Sequence, residues 1–125
     1  MVFDVKDYKG IRVVLTELTW KQKILDPIFG HPEVKPFCYQ LGNIVKVPDF
    51  VYQSVRDMRS KLFFKKVIQG EFKNYYLCSV VKYVVEKNKP IGYILTVMIN
   101  RELSKKGKLL WENRPSICLK KRCGS

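Results

Sequence analysis

The segments KLFFKKVI (61–68), NYYLCSVVKYVVEK (74–87) and PIGYILTVMIN (90–100) decide the fold class of this chain. Each is dense in Val, Ile, Tyr and Phe, which are residue types that favour strands, and short polar stretches separate them. This pattern predicts three consecutive strands joined as an antiparallel meander. The stretch GKLLWEN (107–113) predicts a further strand after them.

The chain before this meander has a mixed pattern. GIRVVLT (10–16) is rich in β-branched residues and predicts a strand. Thr16 or Thr19 can cap a helix that follows it, and Pro27 ends that helix.

Two more helices are predicted in the first half of the chain. His31 and Pro32 begin one of them, because proline is favoured in a first helical turn, and the pair Gly42-Asn43 ends it. The other is expected to begin at Pro48 and to include FVYQSVRDMR (50–59). We therefore expect an α+β fold in which N-terminal helices pack on one face of an antiparallel sheet. The expected organisation is a single domain, residues 1–125, with a basic tail from about residue 115.

The composition favours a folded protein with a polyanionic partner. Of the 125 residues, 46% are hydrophobic and 13% aromatic, which is sufficient apolar surface for a packed core. The 24 Lys and Arg against 11 Asp and Glu give a formal net charge of +13. A field of this strength attracts nucleic acid phosphates above all. The alternative is a basic surface that serves solubility only.

The cysteine and histidine content predicts neither a metal site nor a cofactor. The four cysteines (Cys38, Cys78, Cys118 and Cys123) include no CxxC pair, and a single histidine cannot complete a zinc finger. The first residues, MVFDVKDYKG (1–10), show no positively charged segment followed by an apolar run, and no apolar run approaches the roughly 20 residues that span a bilayer. We expect a cytoplasmic protein that does not enter a membrane.

Strand parity singles out two polar residues. One face of the second meander strand is expected to carry Cys78, Val80, Lys82 and Val84, and one face of the third to carry Ile94, Thr96 and Met98. Lys82 and Thr96 interrupt these apolar faces. A lysine near a core must reach solvent or a partner, because its desolvation is costly. Lys82 is therefore either an edge lysine that extends into solvent or a functional cation.

The order of the segments resembles a family of nucleases. VVLT, TWKQKIL, HPE, PDFV, KYVVEK and GYILTVMI follow one another as in the small ribonuclease toxins of the barnase, EndoU, colicin and RelE group, in the branch found in phage and polymorphic-toxin proteins. The resemblance extends from about Gly10 to Trp111. Where that branch commonly has a histidine in its tryptophan-led helix, this chain has Lys23.

This resemblance implies the sheet and helix fold of these toxins and metal-independent cleavage of RNA. A base removes the proton of a ribose 2′-OH, the oxygen attacks the neighbouring phosphorus, and an acid protonates the leaving 5′ oxygen. The candidate catalytic residues are His31 as acid or base, Lys82 and Arg59 as cations for the phosphorane, and Thr96 as a hydrogen-bond donor to a phosphate oxygen. The candidate RNA-binding residues are Arg56, Lys23, Lys65, Tyr75 and Tyr76.

The same residues also allow two interpretations without catalysis. His31 before a proline is also a common helix cap, and tyrosines on strands are often core residues. If His31 is only a cap, the chain is a non-catalytic RNA-binding protein of the same fold. A third interpretation is an interaction module that binds an acidic partner, such as an antitoxin or immunity protein.

Overall fold

The computed structural model describes residues 1–101, 103 and 107–113. Its strands are β1 (Phe3–Lys6), β2 (Arg12–Leu15), β3 (Phe50–Gln53), β4 (Ser60–Lys66), β5 (Tyr76–Glu86), β6 (Lys89–Asn100) and β7 (Leu109–Glu112). The helical segments are α1 (Glu17–Thr19), which continues as a π-helical turn (Trp20–Ile24), a 3₁₀ helix (Pro32–Gln40) and α2 (Leu41–Lys46). The expected basic tail lies outside the described residues, as do Cys118 and Cys123.

The strands form one sheet in the order β1-β2-β6-β5-β4-β3-β7. The predicted meander is confirmed as β4, β5 and β6, and the predicted strands at 10–16 and 107–113 are confirmed as β2 and β7. The prediction of a purely antiparallel sheet is wrong at one pair, because β2 runs parallel to β6. These two strands are far apart in the sequence, so no short turn constrains their relative direction. Strand β1, which pairs with β2, was not predicted.

The helical segments pack on one face of the sheet, which we call the helical face. The main core lies between the helical segments and the sheet. It includes Val13, Leu15, Trp20, Ile24, Val34, Leu41, Ile44, Val45, Val51, Phe63, Val67, Leu77, Val81, Ile94 and Val97. A smaller buried cluster of Tyr52, Phe64 and Cys78 lies on the opposite face, which we call the open face. The α+β class is therefore confirmed, with helices on one face of a mostly antiparallel sheet.

Local sequence signals explain how the helical region begins. Thr16 is the N-cap of α1, and its hydroxyl accepts a hydrogen bond of 3.2 Å from the backbone N–H of Thr19. The segment that begins at Pro32 is a 3₁₀ helix and contains Pro36. Proline has no N–H and its ring displaces the carbonyl four residues earlier, so α-helical hydrogen bonding is disfavoured there.

The predicted helix end at Gly42 and Asn43 is wrong. Both residues lie inside α2, which continues to Lys46. Leu41 and Ile44 of this helix are almost completely buried in the main core. Their packing outweighs the cost of about 1 kcal/mol for a glycine in a helix.

The predicted helix over residues 50–59 is also wrong. Residues 50–53 form β3, which pairs with β4 on one side and β7 on the other, and a turn follows it. Val51 is buried in the main core and Tyr52 in the cluster on the open face. Successive apolar residues that are buried on opposite faces require a strand, whereas the proline and acidic residue before them are helix-start signals of local origin.

A β-bulge in β6 changes which of its side chains share a face, compared with the prediction. Val80 of β5 pairs with Thr96, but the next residue, Val81, pairs with Ile94, so Leu95 is an extra residue. Thr96 therefore faces the open side, whereas Ile94 lies in the main core. The prediction that these two residues share a face is wrong, because a bulge shifts the alternation by one residue.

Candidate functional site

The open face of the sheet contains a hollow of about 450 Å³, which we call the open-face hollow. It is lined by apolar residues (Val55, Leu62, Phe64, Cys78, Val80, Leu95 and Met98) and polar residues (Ser54, Arg56, Asp57, Ser60, Thr96 and Asn100). Sites for small molecules have volumes of several hundred Å³ and this mixture of an apolar surface with a few polar groups.

Side chains from three strands form the floor of the hollow. They lie in two rows across β4, β5 and β6, with Leu62, Val80 and Thr96 in one row and Phe64, Cys78 and Met98 in the next. Burial raises the pKa of Cys78 to about 12, so its thiol is uncharged at neutral pH. The floor is therefore apolar apart from the hydroxyl of Thr96.

The turn between β3 and β4 forms one end of the hollow. The hydroxyl of Ser54 accepts a hydrogen bond of 3.1 Å from the backbone N–H of Arg56. The side-chain amide of Gln53 donates to the carbonyl oxygens of Met58 and Ser60, each at 3.0 Å. Such local bonds hold a turn in one conformation, so the charged residues of this turn have defined positions.

Asp57 is the charged centre of this turn. Its carboxylate lies 3.5 Å from Nε of Arg59 and 3.6 Å from Nζ of Lys82, and it accepts a hydrogen bond of 3.3 Å from the hydroxyl of Ser60. The backbone N–H of Arg59 lowers the pKa of Asp57, and the charges of Arg59 and Lys82 lower it further. Asp57 is therefore ionised at neutral pH.

Positive charge exceeds negative charge at this end of the hollow. Arg59 and Lys82 share the single carboxylate of Asp57. Arg56 lines the hollow, and its guanidinium forms no ion pair among the residues that the structure describes. Three cations and one anion make this end of the hollow attractive to a phosphate group.

The structure brings together four of the predicted site residues. Arg56 and Thr96 line the hollow, and Arg59 and Lys82 bind Asp57 at its end. The hydroxyl of Thr96 makes no hydrogen bond within the described part of the chain, so it can serve a ligand.

His31 lies away from these four residues. It occupies the N-cap position of the 3₁₀ helix, which packs on the helical face. Its side chain makes no capping hydrogen bond, and its Nδ1 lies 3.3 Å from the carboxylate of Glu33. The imidazole and the cations of the hollow therefore belong to different faces of the sheet.

The predicted RNA-binding lysines also lie away from the hollow. Lys23 is exposed on the π-helical turn, and Nζ of Lys65 donates a hydrogen bond of 2.8 Å to the carbonyl oxygen of Val47. This bond joins β4 to the end of α2, which gives Lys65 a structural role.

The two predicted stacking tyrosines have different surroundings. Tyr76 packs on the open face with its ring against those of Phe50 and Phe64. Tyr75 precedes β5, and its ring lies beside Phe72 and 5.7 Å from the guanidinium carbon of Arg101. Neither residue lines the hollow, but Tyr76 is on the same face of the sheet.

Sequence reasoning missed Asp57, Leu95 and Asn100. Asn100 could have been found, because it has the same parity on β6 as Thr96 and both lie after the bulge. Leu95 could not, since its place in the hollow depends on the bulge. Asp57 was assigned to a helix, and only the turn makes it the partner of Lys82.

A second polar cluster joins the N-terminal segment to β5. The buried carboxylate of Asp7 accepts a hydrogen bond of 2.5 Å from the hydroxyl of Tyr83 and two from the backbone N–H groups of Lys9 and Ile11. Burial and this hydrogen bond raise the pKa of Tyr83. Both carboxylate oxygens of Asp7 thus accept hydrogen bonds. These bonds hold the N-terminal segment against Tyr83, which is adjacent to Lys82 on β5.

The described residues contain neither a metal-binding cluster nor a helix that could span a membrane. In this part of the chain, a metal site would need at least three His, Cys, Asp or Glu side chains close together, and no such group is present. In the same residues, no helix has the length and apolar character needed to cross a membrane. Comparisons with known protein families, with curated proteins and with solved structures found no match for this chain.

Proposed function

We propose that this chain binds RNA through the open-face hollow. The observation that carries the proposal is the excess of cations at one end of the hollow, where Arg56 lines the hollow and Arg59 and Lys82 share the single carboxylate of Asp57. The net charge of +13 supplies a long-range attraction for a polyanion. RNA backbones are bound by such cation groups, with arginine able to contact two phosphate oxygens.

The proposal is tested by removing the cations of the hollow together. In the variant Arg56→Gln, Arg59→Gln, Lys82→Gln, we expect RNA affinity to fall at least about tenfold, because each lost phosphate contact removes a counterion-release contribution. The matched control is Lys23→Gln, Lys35→Gln, Lys46→Gln, which removes the same charge from exposed positions of the helical region. Fluorescence anisotropy with labelled RNA measures the affinities, and thermal unfolding checks that both variants fold.

The control should retain most of the parent's affinity. If both variants lose affinity equally, the binding depends on total charge and not on the hollow. That result would contradict the proposal.

A second candidate function is metal-independent endoribonuclease activity. Asp57 and Thr96 line the same hollow, and Nζ of Lys82 lies 3.6 Å from the Asp57 carboxylate, which favours this activity. The resemblance of the sequence to the ribonuclease toxins favours it too. Since His31 lies with the helices, proton transfer would fall to other groups. The carboxylate of Asp57 would accept the 2′-OH proton as that oxygen attacks phosphorus, and the ammonium group of Lys82 would protonate the leaving 5′ oxygen.

The change Asp57→Asn separates cleavage from binding. Loss of the carboxylate that accepts the proton should reduce the rate of cleavage by about 10²-fold or more. Loss of a negative charge should leave RNA affinity unchanged or increased. Glu71→Gln is the control, because Glu71 is exposed and does not line the hollow. The assay follows fragments with 2′,3′-cyclic phosphate ends in the presence of EDTA. A parent chain that leaves RNA intact, or that cuts it only with a divalent metal, would contradict this candidate.

A further inference from the structure

We propose that the open-face hollow takes one unpaired nucleotide of the RNA, with its phosphate at the end beside Arg56 and Lys82 and its base on the apolar floor over Val80. This inference rests on the proposed function and specifies the substrate as single-stranded. It follows from the order of the polar and apolar groups along the strands.

The apolar floor is accessible to a ligand. Leu62, Val80 and Met98 are only partly buried, whereas Phe64 and Cys78 beside them are buried. An apolar surface inside a concave site is suited to the face of a flat, weakly polar ring. A nucleobase has such a face, and water leaves both surfaces when they meet.

The polar groups lie at opposite ends of this floor. On β5, Lys82 and Tyr76 are six residues apart, and Tyr76 pairs with Asn100 of β6. The strand rise of 3.3 Å per residue therefore separates the two ends by about 20 Å, which is longer than one nucleotide from its phosphate to the far edge of its base. A base whose phosphate is at the Lys82 end thus lies over Val80 and does not reach Asn100. Thr96 lies between them, next to Val80. A phosphate held at one end thus directs the attached sugar and base along the floor.

Asn100 suits the edge of the next base along the strand. Its side chain lines the hollow and makes no hydrogen bond within the described residues. A carboxamide offers a donor and an acceptor side by side, the same combination that the edges of nucleobases present. The hydroxyl of Thr96 is placed to contact the sugar or phosphate between these ends.

A paired nucleotide does not fit this arrangement. In an A-form duplex the base faces are stacked, the edges are paired, and the deep groove is too narrow for side chains to enter. Only an unstacked base can place one face on the floor of the hollow. The structure thus favours single strands, loops and ends over duplex RNA.

The test compares a short single-stranded RNA, its duplex, and the same strand with abasic sites, which retains all of the phosphates. We expect the parent chain to bind the single strand about tenfold more tightly than the duplex or the abasic strand, the loss typical of one stacked base. In Val80→Phe the added ring fills the hollow, so affinity for the single strand should fall about tenfold and affinity for the duplex should not change. Val85→Phe is the matched control, because Val85 is on the same strand, 73% exposed and outside the hollow.

The outcomes separate this inference from the proposed function. If the parent binds all three RNAs equally, or if both phenylalanine variants behave alike, the base does not enter the hollow and the inference is overturned, although RNA binding stands. If the parent binds no RNA, the proposed function itself fails. The abasic comparison uses the parent chain alone, so it remains decisive if Val80→Phe does not fold.

Discussion

Lys82 is the residue that links the sequence pattern to the site. A lysine in an otherwise apolar strand must reach solvent or a partner, and the structure supplies Asp57 at 3.6 Å. Both side chains remain about one-third exposed, so the pair is partly hydrated. A partly hydrated pair contributes little to stability. Its role in the proposed function is the charge that it places at the end of the hollow.

His31 provides a prediction at the scale of a single residue. Its side chain is partly exposed, makes no capping hydrogen bond and lies away from the hollow. We expect His31→Ala to change the free energy of unfolding by no more than about 0.5 kcal/mol, as for other surface substitutions. RNA affinity and any cleavage rate per folded molecule should equal those of the parent. Chemical denaturation and the RNA assays described above measure these quantities.

The sequence analysis expected larger effects from this residue. A proton-transferring histidine predicts a loss of about 10²-fold in cleavage, and a capping side chain predicts a loss of about 1 kcal/mol in stability. A loss of cleavage with unchanged folding would return His31 to the catalytic group. It would also contradict the assignment of proton transfer to Asp57 and Lys82.

At the scale of secondary-structure elements, β6 determines the character of the hollow. Its bulge at Leu95 places Ile94 in the main core while it turns both Leu95 and Thr96 towards the hollow. A regular strand would place alternate residues on opposite faces, so Leu95 and Thr96 could not both line it. The bulge therefore adds an apolar group beside the polar one that a ligand would contact.

The connection between the π-helical turn and the 3₁₀ helix gives a prediction for an element. Gly30 lies so close to the end of the π-helical turn that a Cβ atom would collide with the backbone carbonyl oxygens of Lys23 and Ile24. Backbone atoms cannot rotate away, so Gly30→Ala should reduce the free energy of unfolding by about 2–3 kcal/mol. Urea denaturation measures this change.

Gly42→Ala is the control for that experiment. Gly42 lies in α2, and the nearest atom to a new Cβ is a side-chain carbon of Val5 at 3.5 Å, an ordinary contact. Since alanine is the better helix former, this variant should be as stable as the parent or more stable by up to about 1 kcal/mol. Equal losses in both variants would show that the tight contact at Gly30 is not important.

At the scale of the whole molecule, net charge and local arrangement have separate roles. The charge of +13 raises the local concentration of any polyanion and so affects the rate of encounter. It does not select a face of the protein. The cations around Asp57 distinguish the open face from the helical face, because they lie together beside the hollow that we propose as the RNA site.

Salt dependence tests this view on the whole protein. If three cations contact phosphates, the logarithm of the RNA association constant should fall with the logarithm of salt concentration with a slope of about −2 or steeper. The triple glutamine variant of the hollow should have a slope that is less negative by about 2. Affinities measured over a series of salt concentrations give both slopes. A parent slope near zero would contradict an electrostatic contribution to binding.

The sequence by itself determined the class of fold and most of its strands. β2, β4, β5, β6 and β7 were predictable because β-branched and aromatic residues are concentrated in them and the breaks between them are polar. An N-cap at Thr16 or Thr19 was predictable because capping is a local interaction, and the structure has it at Thr16. The charge balance was likewise a property of composition alone.

Only the tertiary structure decided where the site lies and which residues form it. β3 is a strand because β4 and β7 pair with it, a non-local interaction that outweighs the helix-start signal at Pro48. The bulge at Leu95 depends on how β6 pairs with β5, so parity alone could not locate it. The position of Asp57 beside Lys82 requires the turn that follows β3. Contacts between distant segments depend on how elements pack together, and this packing leaves no local pattern in the residues that make them.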